Sequence, residues 1–360
     1  MNKFKNLLMN KTFKNNLITY GIVVGAYVIM QILVSLGMVS SLLKGLLVPL
    51  CVYAILAVSL NLVVGILGEL SLGHAGFMCV GAFTSAFFSK CMEPTGLPDG
   101  IRFLLAILIG AFSAGICGIL IGIPVLRLKG DYLAIVTLAF GEIIKNLVNS
   151  VYIGLDEKGF HFSFVSAMEL NMSETGTVII KGAQGITGTP NDSNFTIGIV
   201  LLLLTLVIVL NLIHSRDGRA IMSIRDNTIA AESVGIHITK YKLMAFSISA
   251  ALAGMAGVLY GHNLSSLTAT PKNFGYNQSI MILVFVVLGG IGNIRGSMIA
   301  AIILTLLPEM LRGLNDYRML IYAVVLIAMM LFNWAPKCIE WRAKMVYKYK
   351  NRKNTAKEAE

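Results

Sequence analysis

Long hydrophobic runs alternate with short polar segments along most of the chain. Runs of about 20 apolar residues are long enough to cross the hydrocarbon core of a bilayer as helices. Lipid offers no partners for unpaired backbone groups, and these runs are longer and more continuously apolar than the strands of a membrane barrel. The pattern therefore predicts an all-α, polytopic helical integral membrane protein with about ten spans. The predicted spans are 17–38, 46–67, 74–90, 102–126, 131–150, 195–213, 243–262, 278–290, 297–311 and 318–334.

The amino-acid composition agrees with the prediction of a membrane protein. Hydrophobic residues make up 56% and charged residues 13% of the 360 residues, whereas soluble globular chains carry about 25% charged residues. The net charge of +11 comes from Lys and Arg between and after the apolar runs, where membrane topology and anionic lipid explain them better than nucleic acid does. The five cysteines have no spacing typical of a metal site or a disulfide framework. We therefore predict no metal site and no nucleic-acid partner.

The basic residues also indicate an orientation. Most of them fall on one side of the membrane when the N-terminus is placed inside, so the positive-inside rule favours an N-in/C-in arrangement. This divides the chain into a basic cytoplasmic N-terminus (1–16), a single transmembrane domain (17–334) and a basic cytoplasmic tail (335–360). The first apolar run is longer than the core of about 7 to 15 residues in a cleaved signal peptide, so we keep it as a span.

The most charged interior stretch, HSRDGRAIMSIRDNTIAAESVGIHITKYK (214–242), separates two long apolar runs. Asp226 and Asn227 are good N-caps, residues 228–234 can form about two helical turns, and Gly235 suits the left-handed position that ends a helix. We interpret this helix as a cytoplasmic docking point, because small side chains permit close approach and flanking charges can fix the register. The alternative is an amphipathic helix on the lipid surface. The predicted docking residues are Arg225, Asp226, Ala230, Ala231, Glu232 and Gly235.

Two glycine-rich junctions interrupt the helical pattern, NLVVGILGELSLGHAGF (61–77) and LGGIGNIRG (288–296). In transporters, unwound glycine-rich segments expose backbone groups that bind ligands or flex during gating. The alternative is close helix packing through small residues. The candidate pathway and gating residues come from both junctions, and two more lie elsewhere in the spans: Gly65, Gly68, Glu69, Gly73, His74, Thr137, Glu142, Gly289, Gly290 and Gly292.

Ionisable groups are rare at the predicted membrane depth. A buried charge is costly in lipid, so each such group is expected to face protein, water or the interface. Glu142 and Lys145 are three residues apart on one helical face and are predicted to pair with each other, the alternative being a direct role in substrate transport. With Glu69 and His74, an acidic network of this kind would also suit a proton- or sodium-coupled carrier.

The longest external segment, 151–194, is polar, mildly acidic and glycine-bearing. We expect it to receive an external partner or to cap the pathway, or else to be a solvated connector.

The sequence contains no G-x-x-x-x-G-K-[ST] phosphate loop and no H-E-x-x-H motif. We therefore predict that the chain is not an enzyme, and that any nucleotide energy enters through another subunit. A cytoplasmic docking helix would serve that purpose.

Four segments together resemble the membrane permeases of branched-chain amino acid (leucine, isoleucine, valine) ABC importers, and the larger of the two related permeases most closely. They are GRAIMSIRDNTIAAESVGIHITKYKL (218–243), NLVVGILGELSLGHAGFMCVGAF (61–83), GDYLAIVTLAFGEIIKNLV (130–148) and LGGIGNIRGSMIAA (288–301). They stand in the family's order and cover the chain from about 46 to 311.

The resemblance implies a multi-pass subunit of the bacterial cytoplasmic (inner) membrane that forms half of a translocation pathway. The implied partners are a second related permease in a heterodimer, two cytoplasmic ATPase subunits and an external substrate-binding protein. The chain itself would bind no cofactor, because ATP and Mg would act through the ATPase subunits. The helix at 228–235 would sit in a groove of the ATPase.

The resemblance also assigns four residues to an external glycine motif: Gly182, Gln184, Gly185 and Pro190. The chain departs from the family at two places. Lys181, Gly182 and Ala183 stand where two adjacent glycines are expected, and Arg295 replaces an uncharged residue of the second glycine junction. Similar permeases import urea and amides, so a permease for urea or another small polar solute remains the alternative.

Overall fold

The computed structural model describes residues 2–93, 96–128, 130–156, 159–170, 172 and 176–334. The predicted basic tail, 335–360, lies outside the described residues. The chain forms two compact units, Met1–Ile302 and Ile303–Glu360, and the boundary falls within a helix. The division into an N-terminal segment, one transmembrane domain and a tail stays a prediction.

The described part of the chain is mainly helical, which confirms the predicted fold class. The α-helices are α1 (Asn2–Ser35), α2 (Ser41–Asn61), α3 (His74–Met92), α4 (Asp99–Val125), α5 (Asp131–Ser150), α6 (Phe195–His214), α7 (Arg216–Asp226), α8 (Thr228–Ser233), α9 (Ile238–Gly261), α10 (Pro271–Phe274), α11 (Tyr276–Gly289), α12 (Ile294–Met310) and α13 (Arg318–Trp334). A π-helix, Leu62–Leu67, continues α2 and ends at Gly68.

Eight helical segments of the described residues are long and apolar enough to cross a membrane. They are Asn16–Ser35, Ser41–Leu67, His74–Met92, Asp99–Val125, Asp131–Ser150, Phe195–His214, Ile238–Gly261 and Ile294–Gly313. The other two predicted spans, 278–290 and 318–334, correspond to the shorter helices α11, with 14 residues, and α13, with 17. The count of about ten and the N-in/C-in orientation are therefore not confirmed.

The core of the first unit is built by α2, α3 and α9, which pack through small residues. A Cβ on Gly81 of α3 would overlap the backbone of Gly254 of α9, and Gly110 of α4 lies against both helices. Glycine at these positions lets the backbones approach closely, which is how helices associate in lipid without a hydrophobic driving force. These helices consequently form a compact frame on which α5 and α11 lie.

The described residues of the segment 151–194 include short β-strands. Strands β1 (Tyr152–Asp156), β2 (Gly159–Ser163) and β3 (Thr177–Lys181) form an antiparallel sheet in the order β2-β1-β3. Strands β4 (Ile186–Thr187) and β5 (Ser266–Leu267) form a separate antiparallel pair. These ladders pair backbone N–H and C=O groups that lie outside the helices. Helices α3, α5 and α9 end near these strands, and we call this side of the first unit the strand end.

Candidate coupling site

Helix α8 is present where the sequence predicts it. The Asn227 side chain accepts a hydrogen bond from the backbone N–H of Ala230 at 3.0 Å, and the Gly235 N–H donates to the Glu232 carbonyl at 3.0 Å. Gly235 has a φ of +85°. A capping side chain and a left-handed glycine satisfy the backbone groups that so short a helix leaves unpaired. The side of the first unit that carries α8 is called the coupling end below.

The exposed surface of α8 differs in part from the predicted one. Ala230 and Glu232 are exposed, whereas Ala231 is only 3% exposed and packs against its own chain. The prediction that Ala231 contributes to an open small-residue surface is therefore wrong. Ile229 and Val234 are 81% and 74% exposed. Sequence reasoning missed these two apolar residues, although large apolar side chains within a polar stretch are a signal of a contact surface.

Helix α7 holds α8 against the bundle and was not foreseen. The Ser215 hydroxyl accepts a hydrogen bond from the Gly218 N–H at 3.0 Å and caps this helix. Ile221 and Ile224 are buried on its inner face. The apolar positions recur on one face of an otherwise polar segment, and this amphipathic period was the available signal.

Arg225 connects the end of α7 to the first glycine junction. Its Nη1 donates to the carbonyl oxygen of Gly65 at 3.0 Å, and Nε and Nη2 donate to one carboxylate oxygen of Asp226 at 3.1 and 2.9 Å. Its stem covers Gly68, where an added Cβ would lie 2.5 Å from the Arg225 Cγ. The guanidinium is thus bonded within its own chain, whereas the sequence analysis predicts that its charge contacts a docked partner.

An ion pair gives the second connection between the same two regions. Lys242, near the start of α9, binds the carboxylate of Glu69, and the two side chains are 8% and 14% exposed. Sequence reasoning treated Glu69 as a candidate pathway residue and did not identify Lys242. A buried charge needs a partner of opposite sign, so each residue accounts for the burial of the other.

The two glycine junctions meet in space. A Cβ on Gly65 would overlap the amide nitrogen of Gly292. The Asn61 side chain accepts from the Gly292 N–H at 2.9 Å and donates to the Ser297 hydroxyl at 3.0 Å. Close packing through small residues therefore describes the geometry, and gating by these residues stays a prediction.

The second junction forms a tight turn between α11 and α12. Gly290 and Gly292 have φ values of +97° and +81°, which are readily adopted only without a Cβ. A Cβ on Gly289 would overlap the backbone of Ser297. These positions consequently allow α12 to begin directly against the end of α11.

Three further candidate residues, Gly73, Thr137 and His74, lie at or near the start of α3 and its contact with α5. A Cβ on Gly73 would overlap the Thr137 carbonyl oxygen, and the Thr137 hydroxyl accepts from the Leu72 N–H at 3.0 Å. His74 is buried, and its Nε2 is 2.7 Å from the Ser59 hydroxyl. The segment that precedes α3 is therefore fixed against α5 and α2.

Glu142 and Lys145 form the ion pair that their spacing predicts. The second carboxylate oxygen of Glu142 accepts from the backbone N–H of Tyr276 at 2.8 Å. This carboxylate thereby caps the first turn of α11, a role that no local pattern indicates.

The predicted external glycine motif lies at the strand end. Gly182 and Gly185 have φ values of +56° and +68°. A Cβ on the first would meet a tyrosine ring of β1, and one on the second would overlap the Leu267 carbonyl. The other two residues of the motif are Gln184, which is exposed, and Pro190, which is half-buried. A role for them in partner binding stays a prediction.

Comparison of the sequence with known proteins identifies related permeases. A family model described as "Branched-chain amino acid transport system / permease component" matches residues 42–331. The chain is 34% identical over 295 residues to the high-affinity branched-chain amino acid transport system permease protein LivM of Salmonella typhimurium, covering 79% of this chain and 67% of LivM. It is 35% identical to LivM of Escherichia coli K12, with the same coverage. No solved structure matches the chain.

The chain is also 25% identical over 257 residues to the permease protein LivH of the same transport system in Escherichia coli K12, covering 70% of this chain and 79% of LivH. The matched residues include the π-helix, α8 and both glycine junctions. These matches confirm the predicted multi-pass membrane permease. The chain belongs to the branched-chain amino acid transport system permease component family.

Proposed function

We propose that the chain is a permease subunit of an ATP-driven importer for branched-chain amino acids and forms half of its translocation pathway. The observation that carries the proposal is α8, a capped helix that presents Ile229 and Val234 to the surface while α7 and Arg225 fix it to the pathway helices. The names of LivM and LivH support leucine, isoleucine and valine as the substrates.

The proposed assembly contains a second related permease, two ATPase subunits on the cytoplasmic side and an external substrate-binding protein, in a bacterial cytoplasmic membrane. ATP and Mg act in the ATPase subunits, because this sequence contains no phosphate loop. The chain makes and breaks no covalent bond of the substrate. It contributes the difference in stability between two conformations, which partner binding shifts.

The contacts of Arg225 and Lys242 supply a route for this shift. A displacement of α8 moves the end of α7, and the hydrogen bond of Arg225 to Gly65 transfers that movement to the π-helix. The ion pair of Lys242 with Glu69 ties the same junction to α9. Because Gly65 packs against Gly292, the second junction must adjust with the first.

A docking experiment tests the proposal. The chain is co-expressed with its neighbouring permease and ATPase genes, purified, and reconstituted with the binding protein for uptake of labelled leucine. Ile229→Asp is expected to abolish co-purification of the ATPase subunits and leucine uptake, because a charge replaces an exposed apolar contact. Val165→Asp is the matched control, since Val165 is 71% exposed at the strand end. Co-purification of the ATPase subunits with Ile229→Asp at the wild-type level would refute docking at α8.

The ion-coupled carrier gains no support from the described residues. Glu69 pairs with Lys242, Glu142 pairs with Lys145, and His74 is bonded to Ser59. A permease for urea has no geometric observation in its favour either. Competition of unlabelled urea and leucine for the reconstituted uptake would separate those two substrates.

A further inference from the structure

The chain between α9 and α11 returns from the strand end into the middle of the bundle. The Asn149 side chain, near the end of α5, donates to the Ala269 carbonyl at 3.0 Å. Only a few residues later, the Tyr276 N–H donates to Glu142, near the middle of α5. The intervening residues, which include α10, therefore descend along about a third of the length of α5.

Helix α11 consequently begins inside the predicted membrane. Its 14 residues extend over about 21 Å at 1.5 Å per residue, which is short of a hydrocarbon core of about 30 Å. The Ser279 hydroxyl accepts from the Ala75 N–H at 3.1 Å, and Gly76 packs against Gly141 in the middle of α5. The first turns of α3 and α11 thus meet at the same depth.

A cavity of about 560 Å³ lies beside this start of α11. Its lining residues are Thr270, Pro271, Lys272, Asn277, Gln278 and Met281. Lys272 and Asn277 are exposed, and the Lys272 ammonium has no carboxylate partner among the residues that the structure describes.

Exposed polar side chains at this depth cannot face lipid at low cost. Charged and amide groups within membrane spans turn toward protein or a water-filled space. The opposite case is α4, where the exposed middle residues, such as Leu108 and Phe112, are apolar. The surface around Lys272 and Asn277 is therefore suited to water, and the surface of α4 is suited to lipid.

We infer that this cavity is a substrate subsite in the strand-end half of the pathway and that it receives a zwitterionic amino acid with an apolar side chain. The inference rests on the proposed transport function and deepens it. The Lys272 ammonium attracts the substrate carboxylate, the Asn277 amide supplies a donor and an acceptor, and Met281 contacts the aliphatic side chain. Gln278 is half-buried and forms part of the wall. The volume lies within the range of about 300 to 1,000 Å³ typical of small-molecule sites.

Cysteine labelling tests whether the cavity holds water. The five native cysteines are replaced by serine or alanine, and Asn277→Cys is introduced into the assembled complex in lipid nanodiscs. A charged, membrane-impermeant methanethiosulfonate reagent reacts with the thiolate and therefore requires water at the site. Asn277→Cys is expected to react at least about tenfold faster than Phe112→Cys, a control in the middle of α4 that is 71% exposed. Equal, slow labelling of both would overturn the inference.

Transport kinetics test the role of the charge. Lys272→Gln is expected to reduce leucine uptake per ATP hydrolysed by about tenfold or more, because a charge-assisted contact to the carboxylate is lost. Lys272→Arg is expected to retain most uptake, and Lys44→Gln, an exposed lysine of α2, serves as the control. ATPase subunits are expected to co-purify with all three variants. Unchanged uptake by Lys272→Gln would refute the subsite while leaving the proposed function intact, whereas a wild-type complex that fails to import leucine would refute the proposed function itself.

Discussion

Removal of one partner of the Glu69 and Lys242 ion pair is expected to destabilise the protein strongly. Both side chains are largely buried, at 14% and 8% exposure, so neither group can recover its hydration when the other is lost. Breaking a buried pair costs about 3–5 kcal/mol. We expect the lower end, about 3 kcal/mol, for Lys242→Met, since the methionine keeps the apolar volume of the lysine stem and Glu69 retains slight exposure.

The double variant Glu69→Leu/Lys242→Met separates charge pairing from packing. It leaves no unpaired charge, and replacing a buried pair by apolar residues is often neutral or stabilising. We therefore expect its free energy of unfolding to lie within about 1 kcal/mol of the wild type. Free energies of unfolding are measured by SDS titration in mixed micelles for the wild type, both single variants and the double variant.

The surface pair of Lys90 and Glu93 provides a matched control, with side chains 24% and 52% exposed. Lys90→Met should change the free energy of unfolding by less than about 1 kcal/mol, because solvent screens this pair. If Lys242→Met behaved like Lys90→Met, or if the double variant lost as much stability as the two single variants combined, the burial argument would be refuted.

Three further predictions concern the coupling end. Arg225→Lys should lower ATP-coupled leucine uptake several-fold, with the ATPase subunits still co-purified, because a lysine cannot bridge Gly65 and Asp226 as the planar guanidinium does; uptake at the wild-type level would contradict this. Gly65→Ala should lower the free energy of unfolding by about 1–3 kcal/mol in the same SDS titration, because the added Cβ overlaps the facing backbone. The control is Gly45→Ala, where the added Cβ meets open space; its free energy of unfolding should rise by up to about 1 kcal/mol. Gly235→Ala should lower the free energy of unfolding by about 1–2 kcal/mol, because the residue has a φ of +85°. The rate of hydrogen exchange of the α8 amides should rise, and an unchanged rate would show that this glycine does not end α8.

Local signals explain which elements the sequence could predict. The spans follow from uninterrupted apolar length, and α8 follows from Asn227 and Gly235, whose effects act within a few residues. The ion pair of Glu142 with Lys145 likewise depends only on helical spacing. Each of these inferences needs a window of one helix or less.

The contacts that join the candidate site could not be predicted in this way. Arg225 bonds to a residue 160 positions away, and Lys242 pairs with one 173 positions away. Both lie in the polar stretch 214–242, whose local pattern predicts a docking helix but not these distant partners. The start of α11 at the depth of Glu142 was also missed, because the carboxylate that caps this helix comes from another helix.

Helix α11 connects the contact at Glu142 with the contact between the two glycine junctions. Its first turn is bonded to Glu142 beside the cavity, and its last residues turn at Gly290 into the contact between Gly292 and Gly65. A helix of 14 residues transmits displacement along its axis, because interiors packed without voids cannot absorb it. When the π-helix shifts through Arg225, Gly292 cannot stay in place, since no side chain separates it from Gly65. We therefore propose that a movement at α8 alters the cavity wall at Asn277 through this continuous packing.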